Sequence, residues 1–163
     1  MEMDKIDLKI LGVLQRDARI RNAQLAEQVN LSQSACLARV KKLEHAGIVR
    51  GYSAIIDAAK LGQSVTVFAA ITLSEQGKER QAKFEAKLKS MPEVAECHVI
   101  SGATDYLARF VCTDLARYHE ITEALLADPA LAVQHIDSNI VLRPLKAFAG
   151  PDIAAIVGKS EKV

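Results

Sequence analysis

Five side chains at short spacing, Gln33, Ser34, Arg39, Lys41 and Lys42, form the densest concentration of recognition chemistry in this chain. Amide and hydroxyl groups read base edges, whereas guanidinium and ammonium groups bind phosphate. All five lie in or just after residues 22–41, NAQLAEQVNLSQSACLARVK, whose spacing fits a helix-turn-helix. Ala26 stands where two helices touch and only a small side chain fits. Asn30 takes the left-handed turn conformation at low cost. Val29, Leu31 and Cys36 supply the apolar contacts between the helices, and Ser32 is a good N-cap for the second. Such a helix is suited to a DNA major groove. Ser34, with Gln33 at the helix start, is the first choice for base contacts; Arg39 and Lys42 are assigned to phosphate.

Elements that would hold these groups follow from periodicity. Ile6, Ile10, Val13 and Leu14 recur at helical spacing, predicting a first helix from about residue 5 to 17. A second helix is predicted to be capped by Asn22, and a third to run over residues 33–45 and stop at Gly47. Angular position in the third turns Cys36, Val40 and Leu43 inward, with Ser34, Ala35, Ala38, Lys41, Lys42 and His45 outward. IVRGYSAII then reads as a short β-ribbon bending near Arg50 and Gly51, with Arg50 reaching the phosphate backbone. Three helices and a ribbon make a winged helix-turn-helix.

Residues 57–63, DAAKLGQ, are the best boundary, and beyond them the pattern becomes β-α-β twice. Val65, Val67, Ala69, Ile71 and Leu73 alternate on one strand, and Tyr106, Ala108, Phe110 and Cys112 on another. Phe84, Leu88 and Met91 line one helix; Tyr118, Ile121, Thr122 and Leu125 line the other. The order βαββαβ is the ferredoxin-like arrangement, so the class is α+β. Domain limits are set at 3–64, 65–146 and a tail, 147–163. Two helices cover one sheet face, yet Leu107, Val111, Phe68 and Ala70 make the other apolar too. A second copy is expected to cover it, giving at least a dimer.

Composition narrows the function. Net charge is +1, but residues 1–60 hold ten Lys/Arg against seven Asp/Glu and residues 61–163 eleven against thirteen. A modestly basic front and an acidic back suit a nucleic-acid module joined to something else. No apolar run reaches membrane-spanning length, and MEMDKID lacks signal-peptide order, so a soluble cytoplasmic protein is expected. Cys36, Cys97 and Cys112 form no C-x-x-C pair and read as buried apolar residues rather than disulfides or zinc ligands. Cys97 and His98 point to opposite strand faces; His98, His119 and His135 read as ordinary polar positions. No nucleophile–base pair, Gly-rich phosphate loop or metal cluster is visible, so no catalytic residue, metal or cofactor is assigned.

Taken together, MDKIDLKILGVLQRDARI, NLSQSACLARVKKLEHAGIVRGYSAII, ECHVISGATDYL and the βαββαβ order closely resemble the leucine-responsive regulator/AsnC family of transcription regulators, over roughly residues 3–146. The resemblance implies a sequence-specific regulator of double-stranded DNA. Its C-terminal domain would oligomerise, as dimers often assembling to octamers, and bind a small effector, usually an amino acid. It also places Gly102, Ala103, Thr104 and Asp105 in an effector pocket between dimers, with Ser138, Asn139 and Ile140 lining it. In that pocket loop amides and the Thr104 hydroxyl would receive a carboxylate, and Asp105, read as an exposed turn residue, an ammonium group. Gln33 and Ala35 stand where relatives often have proline, which bears on the preferred DNA sequence. The alternative is a DNA-architectural protein of low specificity, against which the low net charge argues; a catalytic C-terminal half has no motif to support it. The apolar start of the tail is expected to pack on a neighbouring subunit and its charged end to be disordered.

Overall fold

A computed structural model describes residues 3–57, 60–74, 77–146 and 150–157. Residues 58 and 59 of the expected boundary, residues 147–149 and the charged end of the tail lie outside them. The chain forms two compact units, one of Met1–Ile55 with Lys146–Val163 and one of Ile56–Leu145.

In the first unit, α1 (Lys5–Arg16), α2 (Asn22–Gln28) and α3 (Gln33–His45) enclose Ile10, Val13, Leu25, Ala26, Val29, Cys36 and Leu43. Full burial of aliphatic side chains such as Ile10 and Leu43 stabilises by roughly 1.5–3 kcal/mol each. Asp4 caps α1, accepting from the backbone N–H groups of Ile6 and Asp7 at 2.8 Å, while Asp7 accepts from the Asp4 N–H at 3.2 Å. That reciprocal pattern is a capping box. The N-cap of α2 is Arg21, one residue earlier than expected. Asn22 is the first helical residue, and its side-chain amide donates to the Gln33 carbonyl at 2.9 Å, tying the start of α2 to the start of α3. Asn30 takes the left-handed turn at φ 56° and Gly47 ends α3 at φ 69°.

One expectation fails here. Residues 48–56 form no ribbon: no strand occurs among them, and Ile55 and Ile56 are exposed with no cross-strand neighbour among the described residues. A strand needs a ladder partner, and this segment has none among the described residues. The described part of the tail, residues 150–157, packs on the first unit of its own chain. Ile153, at the start of α6 (Ile153–Val157), meets the three-helix core, and Gln15 Nε2 donates to the Pro151 carbonyl at 2.8 Å.

In the second unit, β1 (Val65–Leu73), α4 (Lys78–Lys89), β2 (Val94–Val99), β3 (Tyr106–Cys112), α5 (Leu115–Ala127) and β4 (Val133–Ile140) form a ferredoxin-like α+β fold. The sheet order is β2-β3-β1-β4 and every pair is antiparallel. One face, with Val67, Ala69, Ile71, Leu73, Tyr106, Ala108, Phe110 and Cys112, packs on Phe84 and Leu88 of α4 and on Tyr118, Ile121 and Leu125 of α5. On the other face Phe68, Ala70, Leu107 and Val111 make an apolar centre on β1 and β3. The edge strands flank it with Glu96 and His98 on one side and His135, Asp137 and Asn139 on the other. Cys36 and Cys112 are buried as expected, but Cys97 is exposed, because β2 is an edge strand that α4 covers only in part. Among the described residues no helix is long and apolar enough to cross a membrane, and no cluster of His, Cys, Asp and Glu suits a metal.

Candidate nucleic-acid interface and effector region

α3 is held as a recognition helix must be. The Ser32 hydroxyl accepts from the Ala35 N–H at 3.3 Å and lies 3.2 Å from the Ser34 hydroxyl, so the first turn is capped with polar groups at its tip. Leu31 N–H bonds the Ala26 carbonyl at 2.9 Å, closing the turn between the helices. Gln33, Ser34, Ala38, Lys41 and Lys42 are exposed along one side of α3, and Ala35 is half-buried at its margin. The His45 ring Nδ1 donates to the Lys41 carbonyl at 2.7 Å, so the last turn is also tied. Arg50 is exposed in the irregular segment that follows, where Tyr52 donates to Glu44 of α3 at 2.9 Å. Burial and the Glu44 carboxylate together push the Tyr52 hydroxyl up in pKa.

Arg39 does not join this row. Its Nη1 lies 2.7 Å from both Asp4 Oδ2 and Asp7 Oδ1, turned back towards the start of α1. Hydrogen bonds to Asp7 and Asp4 hold the guanidinium above its ordinary pKa, and the Asp7 N–H and Arg39 hold the Asp4 carboxyl below its own. Arg39, expected among the phosphate contacts, is thus engaged by two carboxylates of its own domain in this structure. Sequence reasoning missed Asp4 and Asp7 altogether. Their D-x-x-D spacing at a helix start is the signature of a capping box and was open to reading.

In the second unit the expected effector residues fall at two places. The turn of residues 102–105 follows β2, with Gly102 at φ +124°, where a side chain would be strained. Gly102 and Ala103 are exposed, Thr104 and Asp105 half-buried. Asp105 is no free turn carboxylate: its Oδ2 accepts from the Leu73 N–H at 2.8 Å, and its own N–H donates to the Ile71 carbonyl at 3.0 Å. Through these two bonds it closes the end of β1. Ser138, Asn139 and Ile140 lie on β4 opposite Ala69, Phe68 and Val67. Leu73 and Ala69 are four residue steps apart on β1, roughly 13 Å at strand rise, and β1 itself lies between the turn and β4. A single chain thus does not bring the turn and the β4 residues together. Ser138 and Ile140 share the helix-covered face, where the Tyr118 hydroxyl sits 2.6 Å from the Ser138 hydroxyl; Asn139 points to the opposite face. A cavity of about 340 Å³ opens elsewhere, between α4 and β2, lined by Glu85, Leu88, Lys89, Cys97, Val99 and Tyr106 among others. None of the expected effector residues lines it.

Comparison with known proteins agrees with both units. Residues 3–50 match a winged helix-turn-helix DNA-binding family and residues 66–150 match the Lrp/AsnC ligand binding domain. The chain is 38% identical to the transcriptional regulatory protein DoeX of Halomonas elongata over 157 residues, covering 94% of this chain and 99% of that one. It is 41% identical to a leucine-responsive regulatory protein of Rhizobium meliloti over 128 residues, 78% of this chain and 82% of the relative. The crystal structure of a transcriptional regulator from Neisseria meningitidis, in complex with L-Met, superimposes with a TM-score of 0.86 at 35% identity, covering 95% and 99% of the two chains. With a winged helix-turn-helix match over one unit and a ligand-binding domain match over the other, this chain belongs to the Lrp/AsnC family, which regulates transcription by sequence-specific, ligand-responsive DNA binding and is not a family of enzymes.

Proposed function

We propose that this regulator is switched by a free amino acid and acts in the cytoplasm as a homodimer that assembles further, to an octamer. The observation that carries the DNA half is the exposed face of α3, where Gln33 and Ser34 stand at the tip and Lys41 and Lys42 along the flank. Gln33, Ser34, Ala35 and Ala38 meet base edges and sugar, and Lys41, Lys42 and Arg50 meet phosphate. The L-Met complex of the Neisseria relative supports an amino acid as the ligand class. The turn backbone at Gly102 and Ala103, with Thr104, binds the effector of one copy, and Ser138, Asn139 and Ile140 contribute from β4. Asp105 holds the turn in shape. Since the turn and β4 lie apart in one chain, the pocket is shared between copies. The limits 3–64, 65–146 and 147–163 serve as the working division for this purpose.

A thermal-shift screen of the twenty amino acids tests the effector. A ligand at 100 times its Kd adds about 2.7 kcal/mol of stability, and one amino acid should stand out, whereas a flat screen would remove the proposal. For DNA, Lys42→Ala should weaken every duplex and reduce the salt slope by about 0.9. Ser34→Ala should change which duplex is preferred. The same effect from both substitutions on preferred and random DNA would contradict the assigned roles.

A further inference from the structure

The row of DNA-facing residues on α3 is only as well aimed as the helix that carries it, and one charged cluster fixes that helix from behind. Asp4 and Asp7 each divide their two oxygens. One oxygen serves the N-terminus of α1, as Asp4 Oδ1 accepts from Ile6 and Asp7 and as Asp7 Oδ2 accepts from Asp4. The other oxygen of each takes Arg39 Nη1 at 2.7 Å. Asp7 is 4% exposed, so its charge is held by these partners rather than by water. A charge-assisted hydrogen bond is short and directional, and two of them converging on one nitrogen fix the middle of α3 against the start of α1. At 100° per residue, Arg39 stands between half-buried Ala35 and the buried Leu43, one step round from Ala38 and Lys42. Two carboxylates against one guanidinium leave the cluster with a net negative charge, which repels rather than attracts phosphate.

We infer that Arg39, clamped by Asp4 and Asp7, is a positioning residue for DNA sequence recognition: it sets the orientation of α3 in the groove without touching DNA. The inference rests on α3 being the recognition helix. Base readout demands that orientation, because side chains at the helix tip must meet base edges at hydrogen-bond distance. Phosphate contact by long, flexible lysines demands it far less. Loosening the clamp should therefore erode discrimination more than affinity for arbitrary DNA.

The test compares the full-length wild type with Arg39→Met and Asp4→Asn. Met keeps the apolar stem without the charge, and Asn keeps the N-cap while weakening the pair. Each protein is titrated, well below its unfolding temperature and with active fraction counted, against a duplex selected by the wild type from a random pool and against a scrambled duplex, over a salt series. The expected result for Arg39→Met is a preference reduced about tenfold, the scale of losing one good base contact, with the salt slope unchanged. Asp4→Asn should lose preference in the same direction. Simple electrostatics would instead have it bind all DNA more tightly. A slope reduced by about 0.9 in Arg39→Met, with both duplexes weakened equally, would make Arg39 a phosphate contact and overturn the inference. Wild-type preference and slope in both variants, whatever their Tm, would overturn it in favour of a purely structural ion pair. If Arg39→Met does not fold, Asp4→Asn decides alone. A wild type that selects no duplex would bring down the recognition-helix reading itself, an outcome distinct from either.

Discussion

Asp105 takes the backbone N–H of Leu73 where β1 ends, and its own N–H meets Ile71 on the same strand. Removing the carboxylate strands a half-buried donor, so Asp105→Ala should cost about 1–3 kcal/mol in urea unfolding of the second unit, and Asp105→Asn, which keeps an acceptor, clearly less. Loss of effector response in the alanine variant would then report a collapsed turn as readily as a lost ligand contact, which makes Thr104→Val the better probe of the pocket. Tyr106 offers a pH test. Burial first, and then the nearby Glu85 carboxylate, push its hydroxyl from 10.0 to about 12. A folded pKa above the unfolded one gives stability that is complete below pH 10 and lost as pH rises towards 12. Alkaline unfolding should therefore track phenolate absorbance in that window, and Tyr106→Phe should move its midpoint upward. At this scale the sequence was partly legible. Ser32, Asn30, Gly47 and the inward stripe of α3 declare themselves through local spacing. The partners of Asp105 and Arg39 stand 32 to 35 residues away and only folding names them.

Among the elements, α3 depends on both of its ends. Ser32→Ala removes the hydroxyl that accepts from Ala35 and should cost about 1 kcal/mol, measured as a lower midpoint in denaturant. Asn30 sits at φ 56°. There Asn30→Gly should be nearly neutral, whereas Asn30→Val forces a β-branched side chain into a left-handed conformation and should cost about 1–2 kcal/mol. The helices and the two central strands were legible because burial imposes a period of 3.6 or 2. β1 and β3 alternate cleanly, buried residues on one side and half-buried or exposed ones on the other. The edge strands β2 and β4 expose nearly every residue, and their places came from the order of elements rather than from pattern. The ribbon expected over residues 48–56 failed for a related reason. Its apolar run reads as strand, but strand formation is a property of pairs, and the described residues hold no partner for it.

For the whole molecule, the outer sheet face is the feature a single chain leaves unexplained. Its centre of Phe68, Ala70, Leu107 and Val111 within a rim of Glu96, His98, Asp137 and Asn139 has the anatomy of a protein interface. Arg109 stands at that centre beside Glu96, at 3.1 Å but without hydrogen-bond geometry, so its Nε has no hydrogen-bond partner among the described residues. Phe68→Glu should therefore turn the assembly towards monomer in sedimentation while leaving the fold, read by circular dichroism, intact; an unchanged assembly would place the interface elsewhere. The central claim, that an amino acid alters how the α3 helices read DNA, is tested most directly by one titration. Full-length protein is titrated against its selected duplex and a scrambled one, with and without the amino acid that stands out in the stability screen. The expected result is tight, sequence-dependent binding whose midpoint moves when the amino acid is present, since an effector must favour one assembly over another to change anything. Equal affinity for the two duplexes, or midpoints indifferent to the amino acid that stabilises the protein, would contradict it.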